Sequence, residues 1–259
     1  MKVALAQFDI IWENKSENTR KCEDFFKEAS ASECDLLVFP ELTLTGFSMN
    51  LSLCEGIHNS ESIAFFQNCC RIYSISCVLG YGEKSDDNYY NELVYIDRKG
   101  TIAEKYRKLH PFTFGGEIYS PGSAVASFDF DDNDIGLSIC YDLRFPEIYQ
   151  QLSKKCECII VAANWPEARK EHWITLLRAR AIENQCYIIG CNRVGISDNI
   201  VYSGDSMVID PNGVIMVSAE SNKEQLLCCE IDLNIAKKLR SVFPVKKDRR
   251  TDLYRNFYE

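Results

Sequence analysis

The chain has 259 residues, of which 46% are hydrophobic and 26% charged, and its formal net charge is −9 at pH 7. This length suits one large α/β domain or two small ones, and the hydrophobic fraction supplies a sizeable core. The negative charge argues against a nucleic acid or an anionic membrane as partner, because both attract basic surfaces. No apolar run approaches the roughly 18 residues of a membrane span.

The amino terminus and the cysteines indicate the compartment. Residues 1–7 read as a first strand, without the apolar stretch and cleavage site of a signal peptide. The 13 cysteines are scattered and odd in number, and no CxxC pair is present. The three histidines also lie far apart in sequence, which argues against a structural metal site. These features predict a cytosolic protein with reduced thiols and no metal.

Strand and helix patterns follow one another along the chain. Turn sequences at 97–100 (DRKG) and 210–213 (DPNG) predict hairpins. Strands that alternate with helices, with added hairpins, predict an α/β sandwich with mixed sheets, and the absence of a linker predicts one domain over 1–259. Apolar residues at helical spacing predict helices at 17–31, 61–75, 147–154 and 170–184. Alternation and short apolar runs predict strands at 3–8, 35–39, 76–82, 92–97, 101–106, 124–130, 135–139, 158–163, 187–192, 206–210, 214–218 and 226–231.

The stretch NDIGLSICYDLRFPE (133–147) has Cys140 at its centre. Ile135, Leu137 and Ile139 alternate as in a strand, and a helix can begin near the Phe-Pro pair that follows. A residue at such a sharp break is pushed out of the sheet beside unpaired backbone N–H groups. Those groups lower the pKa of a thiol and can stabilise an oxyanion. The alternative is a small buried core cysteine.

Two further strand ends present charged residues. CDLLVFPELTLTGFS (34–48) presents Glu41 just beyond an apolar strand, at the kind of sheet edge where sites gather. In TIAEKYRKLHPF (101–112), Lys108 follows another strand. Either residue alone is typical of a solvated surface charge. Together with Cys140 they offer a nucleophile, a carboxylate base and a fixed cation, which are the parts that acyl transfer by a thiol needs.

The three stretches resemble a known superfamily. FPE–LTGF around Glu41, RKLH around Lys108 and CYDLRFPE around Cys140 are similar to the three signatures of the nitrilase, or carbon–nitrogen hydrolase, superfamily, in the same order. The similarity runs from the first strand to about residue 245. It implies a four-layer α-β-β-α sandwich and dimers paired through the outer helices and C-terminal segments. It also implies that Glu41 is the general base, Lys108 the oxyanion-stabilising cation and Cys140 the nucleophile.

The resemblance also assigns a residue in the loop from 110 to 122. Glu117 matches the family's second glutamate, which helps to place Lys108 and the substrate. Connectors of this length tend to be functional, although an exposed acid in a flexible loop is the alternative. His110 is expected to be a hydrogen-bonding strut, because Glu41 already fills the role of base.

The segments 162–195 and 202–213 look most like the omega-amidases, which hydrolyse the terminal amide of 2-oxoglutaramate and 2-oxosuccinamate. Asn164 and Trp165 follow a predicted strand and are expected beside the thiol, where they shape the acyl pocket.

Such a substrate has a carboxylate, which needs a charged partner when buried. Arg169 is the first candidate for that partner. Arg144 belongs to the stretch shared by the wider superfamily and is expected to be structural. Pro111 stands where the subgroup commonly has leucine, which leaves the lip of the pocket and the fine specificity open.

The predicted reaction is amide hydrolysis through a thioester on Cys140, with the oxyanion stabilised by Lys108 and the backbone N–H of Tyr141. It requires no metal or organic cofactor; the partners are a small amide, water and a second copy of the chain. A nitrilase and an N-carbamoyl amino acid amidase share the triad and remain alternatives. A binding or scaffold protein with an inert site is a different class. An amidotransferase that passes ammonia to a partner domain is a further possibility, and no synthetase segment is visible.

The C-terminal segment 244–259 is charged and aromatic. It is either a solvated tail or a segment that docks on a partner subunit, because exposed aromatic residues usually find cover. The residues concerned are Arg249, Arg250, Tyr254, Phe257 and Tyr258.

Overall fold

The structure is a computed structural model that describes residues 1–254. Those residues contain strands that fall into two six-stranded sheets and one separate hairpin. The strands are Lys2–Gln7 (β1), Leu36–Val38 (β2), Ser76–Ser85 (β3), Asn88–Ile96 (β4), Ile102–Arg107 (β5), Ser127–Phe130 (β6), Asn133–Ile139 (β7), Cys158–Ala163 (β8), Tyr187–Asn192 (β9), Val194–Ser197 (β10), Ile200–Ser203 (β11), Met207–Ile209 (β12), Ile215–Ser218 (β13) and Gln225–Glu230 (β14).

Both sheets are mixed. The first has the order β14-β1-β2-β3-β4-β5 and the second β13-β12-β9-β8-β7-β6. In each, three central strands are parallel, namely β1, β2 and β3 in one sheet and β7, β8 and β9 in the other. Antiparallel strands extend these centres on both sides. The two parallel centres matter for function, because residues that follow parallel strands meet at one edge of a sheet.

Helices cover the outer face of each sheet. They are Lys15–Ala31 (α1), Glu61–Tyr73 (α2), Pro146–Leu152 (α3), Lys170–Asn184 (α4), Asn234–Val242 (α5) and Thr251–Tyr254 (α6). Phe26 of α1 and Phe66 of α2 pack on the first sheet, and Trp173 and Leu177 of α4 pack on the second. The side chains between the sheets form a third apolar cluster with members from both, such as Leu5 and Ile160. The layers therefore run α-β-β-α, as the sequence predicted.

The structure contains the strands, helices and hairpins that were predicted from local sequence. Every predicted strand and helix is present, with ends shifted by a few residues. The turns at 97–100 and 210–213 join antiparallel pairs, β4 with β5 and β12 with β13, which confirms the two predicted hairpins. The sequence patterns did not predict the β10–β11 hairpin or helix α5. None of the helices in residues 1–254 is long and apolar enough to cross a membrane.

The described part of the C-terminal segment packs against its own chain. Lys246 Nζ donates to the carbonyl of Ser153 at 2.7 Å, and Arg249 donates to Gln150 Oε1 at 2.5 Å. Lys246 and Arg249 thus hold this segment against the C-terminal half of α3. Phe257 and Tyr258, which the sequence offered for contact with a partner subunit, lie outside the described residues.

Candidate active site

The predicted site residues converge at the edges of the two sheets. Glu41 follows β2 and Lys108 follows β5 in the first sheet, whereas Cys140 follows β7 and Asn164 follows β8 in the second. The sheets pack face to face, so the ends of these strands meet across the interface. Glu117 joins them from the loop after β5. All four residues for which a catalytic role was predicted therefore lie in one place.

A buried ion triplet forms the floor of the site. Lys108 Nζ donates to Glu41 Oε1 at 2.9 Å and to Glu117 Oε2 at 2.8 Å. The exposed fractions are 0% for Glu41, 1% for Lys108 and 4% for Glu117. Charges this deeply buried persist only when paired and hydrogen-bonded. The exposed, flexible acid considered as an alternative for Glu117 is therefore wrong.

The electrostatics of the triplet favour its charged forms. Burial alone would raise the pKa of Glu41, but the Lys108 ammonium and hydrogen bonds from Asn164 and Asn91 outweigh it, and the pKa lies below its ordinary value. Burial opposes the charge of Lys108, yet the carboxylates of Glu41 and Glu117 raise its pKa above the usual range. Glu41 is thus an anion and Lys108 a cation at neutral pH.

Cys140 occupies a strained turn directly after β7. Its φ is +43°, in the left-handed region that non-glycine residues seldom adopt. The side chain lines a cavity, and Sγ lies 3.9 Å from the carbonyl oxygen of Asn164. Burial, and then the charge of Glu41, raise the pKa of the thiol well above its ordinary value, although Lys108 opposes this. The resting group is therefore a neutral thiol beside an ionised carboxylate.

Asp142 fixes the turn that presents Cys140. One carboxylate oxygen accepts hydrogen bonds from the Tyr106 hydroxyl at 2.7 Å and from the backbone N–H of Ile139 at 3.2 Å. The other accepts from the backbone N–H of His110 at 3.0 Å and lies 2.9 Å from His110 Nδ1. His110 thus serves as a strut that ties the loop after Lys108 to the turn.

A cavity of about 350 Å³ opens beside Cys140, a size suited to a small-molecule ligand. Lys108 and Cys140 lie on its wall, and aromatic side chains form a large part of the rest. The aromatic residues are Trp12, Phe47, Phe112, Phe114, Tyr141, Trp165 and Tyr202.

Two guanidinium groups lie on the cavity wall. Arg144 and Arg169 both line it, as does Asp198, and no salt bridge joins either arginine to an acidic side chain among residues 1–254. Nη2 of Arg144 lies 3.4 Å from Nδ1 of His172. Burial and the charge of Arg169 lower the pKa of Arg144. The Arg144 guanidinium lies 4.7 Å from the ring centre of Trp165. Arg144, expected to be structural, thus shares the wall with Arg169, the first candidate for a carboxylate partner.

Tyr141, Trp165 and Asn164, the other residues predicted to contact the substrate, all line the cavity. The ring of Tyr141 packs 4.7 Å from that of Phe112 on the cavity wall. Trp165 Nε1 donates to the carbonyl of Arg169 at 2.8 Å, which fixes the loop that holds this arginine. Asn164 lines the cavity, but its side-chain nitrogen donates to Glu41 at 2.5 Å (carbonyl) and 3.4 Å (Oε2). Its amide nitrogen therefore faces Glu41 rather than a ligand.

Sequence reasoning missed several contributors to the site, among them Asn91, Asp198 and Tyr202. Asn91 donates to both carboxylates of the triplet, but it lies just before the predicted strand 92–97 and nothing in the sequence marks it. Asp198 and Tyr202 reach the cavity from the β10–β11 hairpin. The Asp198-Asn199 pair, with φ values of +49° and +60°, is turn chemistry that could have revealed this hairpin. Within residues 1–254, no three His, Cys, Asp or Glu side chains form a cluster able to hold a metal ion.

The sandwich and the buried carboxylate–lysine–thiol site define a hydrolase of the nitrilase type. The chain belongs to the carbon-nitrogen hydrolase family, whose model matches residues 2–241. It is accordingly a hydrolase that acts on carbon–nitrogen bonds.

Individual relatives cover almost the whole chain. A 2-oxoglutaramate amidase of Bacillus subtilis is 35% identical over 258 residues, covering 97% of this chain and 98% of its own. Omega-amidase YafV of Yersinia enterocolitica is 32% identical and covers 96% of each chain. Among solved structures, the CN-hydrolase superfamily protein XC1258 from Xanthomonas campestris, with an arsenic adduct in its active site, superposes with a TM-score of 0.91. It is 27% identical and covers 97% of each chain.

Proposed function

We propose that the protein is an omega-amidase that hydrolyses the terminal amide of a small carboxylic acid, 2-oxoglutaramate or 2-oxosuccinamate, to the acid and ammonia. The observation that carries the proposal is one cavity with the Cys140 thiol beside the Glu41 and Lys108 pair. Further along its wall lie the guanidinium groups of Arg144 and Arg169, which form no salt bridge with an acidic side chain of the described residues. The first part suits acyl transfer by a thiol, and the second suits a substrate with a carboxylate.

The reaction begins with a neutral thiol. Glu41 takes the proton from Cys140 as sulfur attacks the amide carbon, because the raised pKa of the thiol disfavours a free thiolate at rest. The oxyanion of the tetrahedral intermediate accepts hydrogen bonds from Lys108 and from the backbone N–H of Tyr141. The intermediate collapses when Glu41 returns its proton to the leaving nitrogen. Ammonia departs, and the acyl group remains as a thioester on Cys140.

The second half-reaction uses the same groups. A water molecule replaces ammonia, Glu41 takes its proton, and the resulting hydroxide attacks the thioester. Lys108 again stabilises the oxyanion, the sulfur leaves and Glu41 returns the proton to it. Dividing one difficult step into two easier ones is the purpose of a covalent nucleophile. Glu117 serves by pairing with Lys108, which keeps the ammonium in place throughout.

The substrate assignment is supported by charge and by relatives. A carboxylate buried in the cavity meets Arg169 and Arg144, which have no acidic partner within residues 1–254, and a charge-assisted hydrogen bond to such a group is a strong one. Tyr141, Trp165 and the backbone of Asn164 bound the space for the acyl chain. The Bacillus subtilis relative is named for 2-oxoglutaramate and the Yersinia relative for omega-amides.

Ammonia release from a panel of substrates tests the assignment. The panel contains 2-oxoglutaramate, 2-oxosuccinamate, a short aliphatic nitrile and an N-carbamoyl amino acid. We expect turnover of the first two and little of the others. Turnover of the nitrile or the carbamoyl compound alone would assign one of the two alternative enzymes, and no turnover of any would favour a binding protein.

We also propose a cytosolic homodimer. Exposed apolar residues cluster where the end of α4 meets the turn after β12 and the end of α5, and such patches usually mark interfaces. All thirteen cysteines, which lie within residues 1–254, are free thiols, as suits a reducing compartment.

A substitution in the apolar patch tests the dimer. Ile182→Asp is expected to change the sedimentation coefficient from that of a dimer to that of a monomer. An unchanged dimer would contradict this interface. The exposed apolar residues are Ile182, Val214, Val242 and Phe243.

A further inference from the structure

Asn91 links the two carboxylates of the site. It lies on β4, is 1% exposed and does not line the cavity. Its Nδ2 donates to Glu41 Oε1 at 2.7 Å and to Glu117 Oε1 at 3.0 Å. A primary amide nitrogen has two hydrogens, so one is available for each carboxylate. Asn91 is thus placed to act on both acids at once.

Lys108 and Asn91 close a ring of four polar groups. The Lys108 ammonium bonds the same two carboxylates from the other side, at 2.9 Å and 2.8 Å. The backbone N–H of Lys108 also donates to the carbonyl of Asn91 at 2.9 Å. Two anions and one cation leave one net negative charge inside the protein. Asn91 donates hydrogen bonds to the anions and leaves this net charge in place, whereas a second lysine would neutralise it.

The orientation of the amide is set by the carboxylates. Asn91 Oδ1 is buried and has no hydrogen-bond partner among residues 1–254. An unsatisfied buried oxygen is unfavourable. The reverse orientation is worse, because it would direct that oxygen at two carboxylate oxygens and remove both hydrogen bonds. The structure thus tolerates one orphaned acceptor so that two donors reach the acids.

We infer that Asn91 is a positioning residue that keeps Glu41 and Glu117 apart as two separate anions, so that Glu41 remains free to accept the proton of Cys140. This inference rests on the proposed role of Glu41 as the base. Carboxylates that share a site without enough donors tend to share a proton instead, which raises the pKa of one of them. A shared proton would occupy the base.

Four titratable groups around the carboxylates do not change charge in the acidic range. Burial raises the pKa of Tyr202 to about 12 and that of Tyr119 above its ordinary value. The pKa of the Cys140 thiol is also raised, chiefly by burial. Lys108 stays protonated, because both carboxylates raise its pKa against the effect of burial. His110, Asp142 and Asp198 also lie at the site, but Asn91 donates to Glu41 and Glu117 and not to them. A difference in the acid limb of the pH–rate profile between an Asn91 variant and the wild type therefore reports on the two carboxylates that Asn91 contacts.

The test compares the dependence of kcat/KM on pH for Asn91→Leu, Asn91→Asp and the wild type, with 2-oxoglutaramate as substrate. Leucine has a similar size but no donor, and aspartate keeps the shape but adds a third carboxylate. We expect a loss on the order of 100-fold in kcat near neutral pH, because the base is misplaced and partly protonated, with KM little changed. The acid limb should move to higher pH in Asn91→Leu, and further in Asn91→Asp.

Val94→Ala is the matched control. Val94 lies on the same strand, is 0% exposed and packs towards the helices outside the first sheet. It should lower the denaturation midpoint without moving the acid limb. An acid limb that stays at the wild-type pH in either folded Asn91 variant would overturn the inference, since a purely structural role lowers the rate equally at every pH. Glu41→Gln separates the role of Glu41 as base from the role of Asn91. If Glu41→Gln is active, the assignment of the base fails. If it is inactive and the acid limb of the Asn91 variants stays at the wild-type pH, only the inference about Asn91 fails.

Discussion

The backbone N–H of Asn164 donates to Glu41 Oε2 at 2.9 Å. Glu41 belongs to the first sheet and Asn164 to the second, so this bond joins the two halves of the sandwich at the site. The carboxylate is thereby oriented by the strand that neighbours the one bearing Cys140. The proposed base keeps its position relative to the thiol only while both sheets stay packed. We therefore expect packing and catalysis to be coupled.

Removal of the Lys108 charge should damage both stability and activity. Lys108→Met leaves Glu41 and Glu117 buried without their ammonium partner, which typically costs about 3–5 kcal/mol. Turnover should also fall on the order of 100-fold or more, because the oxyanion loses a donor. Urea unfolding and ammonia release measure the two effects. The exposed ion pair of Lys27 is the control, and Lys27→Met should leave the urea midpoint almost unchanged, because solvent screens the pair.

The turn at Cys140 should depend on Asp142. Asp142→Ala removes acceptors from Tyr106, His110 and the backbone N–H of Ile139, so the strained turn is free to relax. We expect kcat to fall on the order of 100-fold with KM almost unchanged, as for a displaced catalytic group. Tyr106→Phe removes one of these bonds and should cost about 1 kcal/mol of stability. Equal kcat in Asp142→Ala and wild type would show that the turn does not need its anchor.

Loss of Arg169 or Arg144 should lower kcat/KM for amides that carry a carboxylate but not for neutral amides. Arg169→Leu removes a charge-assisted bond worth about 1.5–3 kcal/mol, or roughly 10- to 100-fold in kcat/KM for 2-oxoglutaramate. Butyramide, which has no carboxylate, should be hydrolysed at the wild-type rate or faster. Arg144→Leu measures the contribution of the second guanidinium in the same way. An equal loss on both substrates would argue that Arg169 maintains the loop rather than binding the acid.

The Glu83 and Glu92 pair should make stability depend on pH. Burial, and then contact with Glu83, raise the pKa of Glu92 to about 7, whereas an unfolded glutamate titrates near about 4.3. The folded state therefore binds this proton more tightly. The stabilisation is complete below about pH 4.3 and is lost as the pH rises through about 7. Glu92→Gln should weaken this dependence in urea unfolding between about pH 5 and 8; the same slope in both proteins would contradict the assignment.

Much of the fold and the central groups of the site follow from local patterns. Each signature lies at the end of a strand whose period or apolar run is visible in sequence, so the amino-acid sequence alone is enough to group Glu41, Lys108 and Cys140. Glu117 came from the resemblance alone, because nothing in a loop of mixed composition marks one acid as buried. The sharp break after β7 was expected from the abrupt end of the strand pattern at Cys140, but the left-handed φ of +43° at this residue was not.

Other contacts between distant segments could not be predicted. Asn91 reaches Glu41 across 50 positions of sequence, and a single amide in a strand gives no sign of such a partner. Arg144 was expected to be structural because it belongs to a shared motif, yet the chain fold turns it towards the cavity beside Arg169. The β10–β11 hairpin was missed because the Asp198-Asn199 turn between its two strands was not recognised as turn chemistry.

The central claim is that Cys140 is the nucleophile of an amidase, and mass spectrometry of the protein during turnover tests it most directly. With 2-oxoglutaramate, rapidly quenched wild-type protein should gain the mass of the acyl group on Cys140 alone among the thirteen cysteines. Cys140→Ala should fold normally, gain no such mass and release no ammonia. A Cys140→Ala protein that still deamidates 2-oxoglutaramate would contradict the account.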